Sequence, residues 1–138
     1  YDNIKFIKIP KQKTFSRAVR QYGVTIATRK LICYLDTDDM FGPNHLNSIS
    51  KNDLTDCDWF YYDDFLFNGI NRTLRPVKPE VCFIGTSSFC HKKSLLFKWQ
   101  DGYGHDWMSI EKILKNKYKK INTPEYLVCH CTGLKIDY

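Results

Sequence analysis

The stretch Leu31-Ile32-Cys33-Tyr34-Leu35-Asp36-Thr37-Asp38-Asp39 constrains this chain more than any other. A short apolar run passes directly into three carboxylates within four positions. Apolar runs of this length read as a buried strand, most naturally in a parallel sheet with both faces covered. Carboxylates where such a strand ends lie at the carboxyl edge of the sheet, where open α/β folds bind ligands. Three like charges this close repel one another, and a bound cation relieves that repulsion best. The expectation is a divalent-metal site at Asp36, Asp38 and Asp39, around which the rest of the chain is organised.

At 138 residues the chain has the length of one domain, and its 43% apolar and 15% aromatic content excludes a disordered polymer. No window approaches the ~18 apolar residues of a membrane span, and no basic-then-apolar leader is present, so a cytoplasmic location is expected. The first residue is Tyr1 rather than Met, which leads us to expect the remainder of a longer chain. The net charge is +6, with lysines gathered over residues 8–13 and 112–120. Such a face is read first as solvated and second as a peripheral contact with a phosphorylated or membrane surface. Aromatics do not interleave with Lys and Arg as stacking platforms would, so no nucleic-acid partner is expected.

Six cysteines (33, 57, 82, 90, 129 and 131) include no CxxC pair, and Cys33, Cys82, Cys90 and Cys129 sit in apolar, strand-like contexts. Buried free thiols in a reducing compartment explain them better than a disulfide framework. In Cys129-His130-Cys131, strand alternation sends the sulfurs to one face and His130 to the other, which argues against zinc.

Along the chain, residues 4–9 read as a strand stopped by Pro10, followed by a helix capped at Thr14 with Phe15, Ala18, Val19, Tyr22 and Ile26 at helical spacing. Gly23 weakens that helix by about 1 kcal/mol and marks a place for it to end or bend. The 31–35 strand follows, and then a helix opened by Pro43 and carrying Leu46 and Ile49. This β-α-β-α order favours a parallel sheet with right-handed crossovers. Residues 59–67 read as one long strand, turned at Asn68-Gly69 into a returning strand over 72–77. Asp63-Asp64 within it face opposite ways and are read as solvent-facing. Short strands are expected over 81–84 and 88–90 around Gly85-Thr86-Ser87, where small hydroxyl residues allow close approach to a ligand. A last helix opens at Asp106 after Gly102-Tyr103-Gly104, with a stripe of Trp107, Ile110, Ile113, Leu114 and Tyr118, before a final strand over 126–131.

Three polar features are placed to converge: the Asp36/Asp38/Asp39 cluster, Asp106 and His130. One or two carboxylates with phosphate oxygens and water are the usual holders of Mg²⁺ or Mn²⁺, and a His130 ligand would favour Mn²⁺. A separate carboxylate could then deprotonate an incoming hydroxyl.

Residues 19–39, VRQYGVTIATRKLICYLDTDD, resemble the family 2 glycosyltransferase segment ARNxGxxxAxGxxIxxLDxDD. Arg20, Gly23, Ala27 and the Asp36-Thr37-Asp38 triplet coincide with it, and Pro43 and Leu46 match the P-x-x-L that follows. Gln21 and Arg29 replace the usual Asn and Gly. Thr86-Ser87-Ser88 resembles the acceptor-side segment, and Gly104-His105-Asp106-Trp107 resembles G-x-E-D-W, with His105 in place of the acid. The resemblance covers about residues 4–115. It implies a GT-A fold, a Rossmann-like mixed sheet flanked by helices, as one domain over 1–138 lacking the first part of its nucleotide-binding half. Within it, residues 1–55 would form the nucleotide- and metal-binding part and 56–138 the acceptor side. It further implies a nucleotide-diphosphate sugar donor, a glycan, lipid or protein hydroxyl acceptor, and inversion by direct displacement. Asp38 would be the main ligand of Mn²⁺ or Mg²⁺, with Asp36 on the ribose or metal. Asp106 would be the base, and Arg20, Thr86, Ser87 and Trp107 would contact substrate.

Two rival readings stand beside it. One is a non-catalytic carbohydrate-binding or scaffold domain of the same fold. The other is a Mg²⁺-dependent phosphohydrolase with Asp36 as nucleophile and Asp38 as acid/base, although Lys78 and Asp63-Asp64 come in the wrong order for it.

Overall fold

A computed structural model describes residues 4–11, 13, 16–52, 55–67, 70–122 and 126–129, the last four as backbone alone. The chain is mixed α/β. Helices α1 (Arg17–Ile26), α2 (His45–Ser50) and α3 (His105–Glu111) accompany eight strands: β1 (Leu31–Cys33), β2 (Met40–Phe41), β3 (Trp59–Tyr61), β4 (Asp64–Phe67), β5 (Arg72–Arg75), β6 (Phe89–Lys92), β7 (Tyr118–Lys120) and β8 (Tyr126–Cys129). None of these helices is long and apolar enough to cross a membrane.

The strands form two four-stranded sheets, ordered β1-β6-β3-β7 and β2-β8-β4-β5. In the first, β6 runs antiparallel to both β1 and β3, while β7 is parallel to β3. In the second, β4 is parallel to β8 and antiparallel to β5. The parallel sheet expected from the β-α-β-α order is therefore replaced by mixed sheets. The strand β6, from the second half of the chain, is wedged between β1 and β3.

Alternation along the first sheet feeds two apolar clusters. Trp59 and Phe89 join Tyr34, Phe97, Trp99 and Ile110 in one, while Phe60 and Cys90 join Ile49, Tyr62 and Ile121 in the other. Both faces of this sheet are thus covered, as the apolar run at 31–35 implied.

Several expectations change. Residues 4–9 form no strand, and Ile4 and Phe6 lie open to solvent. Helix α1 starts at Arg17, after Ser16, and runs through Gly23, where an added Cβ would meet open space. The predicted cap at Thr14, with Phe15, lies outside the described residues. Val24 and not the predicted Val19, Tyr22 and Ile26 is its buried residue. In α2, Ile49 is buried but Leu46 is exposed. The long strand over 59–67 is divided at Tyr62-Asp63, placing β3 in one sheet and β4 in the other. The hairpin holds, with Phe67 opposite Arg72, although Asn68 and Gly69 themselves lie outside the described residues. Residues 81–83 form a turn rather than a strand, with Cys82 exposed at φ 66. Helix α3 ends at Glu111, short of the predicted stripe residues Ile113, Leu114 and Tyr118, the last of which lies on β7.

Asp63 and Asp64 are not solvent-facing. Asp64 is fully buried, held by Arg75 at 2.8 and 2.5 Å and by the Ser88 hydroxyl at 2.9 Å. Asp63 accepts from the Val77 amide at 2.7 Å and pairs with Lys120 at 2.6 Å. The described cysteines 33, 57, 82 and 90 are free, as expected.

Candidate functional site

Strand β1 leaves the sheet at Cys33 and continues through Tyr34 and Leu35 to a tight turn, closed by the Asp39 amide donating to the Asp36 carbonyl at 3.1 Å. This turn sets out the predicted acidic triplet. Ser87, just before the neighbouring strand β6, anchors it: its Oγ accepts from the Asp36 amide at 3.1 Å and donates to Asp39 Oδ2 at 3.3 Å. Asp38 is exposed.

Helix α1 brings Arg20 over the turn. Its Nη2 pairs with Asp36 Oδ1 at 2.6 Å, its Nη1 donates to His105 Nε2, and Asp106 Oδ1 lies 3.9 Å from Nη1. The guanidinium lies 4.9 Å above the Trp99 ring, a favourable cation–π placement. Trp99 is itself fixed to α1. Its amide donates to Gln21 Oε1 at 3.0 Å, and its carbonyl accepts from Arg17 Nε at 3.2 Å.

Glycine at position 104, with φ 76, opens α3 and puts Asp106 in the first turn, where the helix dipole favours a carboxylate. Thr86 Oγ1 donates to Asp106 Oδ1 at 2.5 Å. His105 Nδ1 faces the Gly102 carbonyl at 3.2 Å. His105 Nε2 also lies 3.1 Å from Asp106 Oδ1, so the ring stands between the guanidinium and the carboxylate.

Two hollows are lined by members of this group. One of about 340 Å³ is lined by Val19, Arg20, Leu35, Asp36 and Asp38 among others. Another of about 810 Å³ is lined by Val81, Ile84, Tyr103, His105, Asp106 and Trp107 among others. Arg20 lines the first and binds groups that line the second.

Five predicted site residues (Arg20, Asp36, Thr86, Ser87 and Asp106) thus come together in one bonded group, with Asp38 and Trp107 on the adjoining hollows. His130 lies outside the described residues. The three-carboxylate metal cage does not form. Among the described residues no group of three or more His, Cys, Asp or Glu side chains is gathered for a metal ion, because Asp39 is turned to Ser87 and Asp36 to Arg20. Asp36 and Asp38 remain a hard oxygen pair beside an open hollow, which suits Mg²⁺ or Mn²⁺ completed by phosphate oxygens and water.

Sequence reasoning passed over three members: Gln21 and His105, noted only as departures from a motif, and Trp99. The alternation of Phe97 and Trp99 was the available signal for Trp99, but it reads as core and carries no sign of a charge above it. No family model matches this chain, and no curated protein matches it.

Proposed function

We propose that this chain is the catalytic part of a metal-dependent glycosyltransferase, moving a sugar from a nucleotide-diphosphate donor to a hydroxyl acceptor. The observation that carries the reading is Arg20, one guanidinium bonded to Asp36 in one hollow and to His105, beside Asp106, in the next. A transferase needs a charged donor site and an acceptor base as neighbours, and the closeness of Asp36 and Asp106 to one guanidinium supports that reading.

Asp38 and Asp36 are the residues that would hold Mn²⁺ or Mg²⁺, which when bound neutralises the diphosphate and supports it as a leaving group. Arg20 places a fixed positive charge beside the same hollow, where negative charge develops as the sugar departs. Asp106 takes the proton of the acceptor hydroxyl, and the Thr86 hydroxyl holds the carboxylate in one orientation. Direct displacement that inverts the anomeric centre is the course implied by the resemblance to family 2 glycosyltransferases. The acceptor, a glycan, lipid or protein hydroxyl, enters from the larger hollow past Tyr103 and Trp107.

A thermal-shift screen of nucleotide sugars with and without Mn²⁺ tests this. A nucleotide-sugar shift that requires the metal supports the reading. Metal-independent sugar binding without turnover would indicate the scaffold domain, and an aspartyl-phosphate at Asp36 the phosphohydrolase.

A further inference from the structure

We propose that the face centred on Leu96 docks the protein onto an anionic membrane surface. Leu96 ends the 3-10 turn Lys93–Leu95 with φ 54, in the left-handed region, and its side chain is 78% exposed. It is the shared wall of three open hollows. The first, about 600 Å³, is lined by Arg29, Lys30, Lys92 and Lys93 with two hydroxyl residues. The second, about 270 Å³, adds Lys98, and the third, about 300 Å³, adds Lys112 and Lys115. No aspartate or glutamate lines any of the three.

Cationic side chains ringing an exposed leucine, with their stems forming apolar walls, match what anionic headgroups over an acyl layer offer. The heads stay in water beside lipid phosphate while the leucine enters the acyl boundary. Two of the lysines are tied to backbone carbonyls: Lys93 Nζ donates to the Ala27 carbonyl and Lys92 Nζ to the Thr55 carbonyl at 3.3 Å. A nucleic acid fits less well. The one aromatic residue lining these hollows, Phe97, is buried and offers no stacking face.

The face also lies clear of the catalytic group. In the β1–β6 ladder Leu31 is opposite Lys92 and Cys33 opposite Cys90, so Lys30, Lys92 and Lys93 stand at one end while Asp36 and Ser87 lie beyond the other. Six residue steps, along β1 and the segment that follows it, lead from Lys30 to Asp36, roughly 20 Å at strand spacing. Docking through Leu96 therefore leaves both hollows of the site open, and the proposal is independent of the reaction assigned to them.

Co-sedimentation of the whole chain with phospholipid vesicles tests the proposal. Vesicles containing about one-third phosphatidylglycerol should retain at least about tenfold more protein than pure phosphatidylcholine vesicles, and raising NaCl from about 50 to about 300 mM should abolish the difference. Arg29→Glu/Lys30→Glu/Lys98→Glu, all at exposed positions, should lower retention about tenfold or more. Leu96→Asn, which suits a left-handed backbone, should lower it several-fold with an unchanged melting temperature. Equal retention on both vesicle types, no retention on either, or full retention by a folded triple variant would overturn the proposal. So would charge-dependent binding of an RNA oligonucleotide with no vesicle binding.

Discussion

Arg20 holds Asp36 at 2.6 Å and stands 3.9 Å from Asp106, two acids separated by seventy residues of chain. The arginine side chain is 14% exposed, so neither contact is a solvated surface pair. Lysine preserves the charge but has no planar fork, and it cannot hold Asp36 with one nitrogen and His105 with another. Arg20→Lys should reduce Mn²⁺-dependent hydrolysis of a nucleotide sugar about tenfold, and Arg20→Ala about a hundredfold. Steady-state rates of nucleotide diphosphate release check this, and an Arg20→Lys enzyme with the parent rate would remove the fork from the mechanism.

The two carboxylate roles separate by what they disturb. Asp106→Asn should leave nucleotide-sugar binding within about twofold while cutting turnover by about 10²-fold or more, the scale of a lost general base. Asp38→Asn should instead abolish the metal-dependent part of nucleotide binding. Calorimetric titration with and without Mn²⁺, run beside the turnover assay, distinguishes them. Parent-like turnover in Asp106→Asn would move the base elsewhere.

Asp64 carries a structural charge. It is fully buried and its partners are the forked Arg75 and the Ser88 hydroxyl, so removing the arginine leaves a buried carboxylate without its counter-charge. Because the Arg75 side chain is itself 37% exposed, the loss is set at the solvent-screened end of the range. Arg75→Ala should therefore cost about 3 kcal/mol, the low end for breaking a buried pair. Urea denaturation measures it, and a loss below about 1 kcal/mol would show the pair to be solvated in practice.

The bonded group around Arg20 was legible because motif order survives without knowledge of the sheet. Arg20, Asp36, Thr86, Ser87 and Asp106 each stand at a chain position that a linear pattern can match. What the pattern could not carry is pairing between distant segments. The buried state of Asp64 depends on the chain changing sheets at Tyr62-Asp63, and nothing local marks that step. Residues 4–9 have the alternation of a strand but pair with no strand among the described residues, and Ile4 and Phe6 stay exposed. Tyr118 and Lys119 satisfy a helical stripe as readily as a strand, and only their parallel pairing with Trp59 and Phe60 makes them β7. The cationic ring around Leu96 is assembled from four separate segments, of which only Lys112 and Lys115 belong to a lysine run visible in the sequence.

His91 gives the fold a pH dependence of its own. The ring is fully buried between two sheet neighbours. Its Nδ1 donates to the Lys92 carbonyl at 2.9 Å, which leaves Nε2 to accept from the Tyr34 hydroxyl at 2.7 Å. Burial pushes its pKa down from 6.5 to about 4, against the opposing pull of the Lys92 carbonyl. Between those values the unfolded chain binds a proton that the folded chain refuses, so stability is fully present above pH 6.5 and is lost as pH falls toward 4. The whole interval is worth about 3 kcal/mol, and the portion above pH 5 is reached before ordinary carboxylates titrate. Urea midpoints measured from pH 7.5 to 5 should fall accordingly. His91→Gln should be less stable at neutral pH but flat across this range, whereas equal slopes in the two proteins would assign the loss to another group.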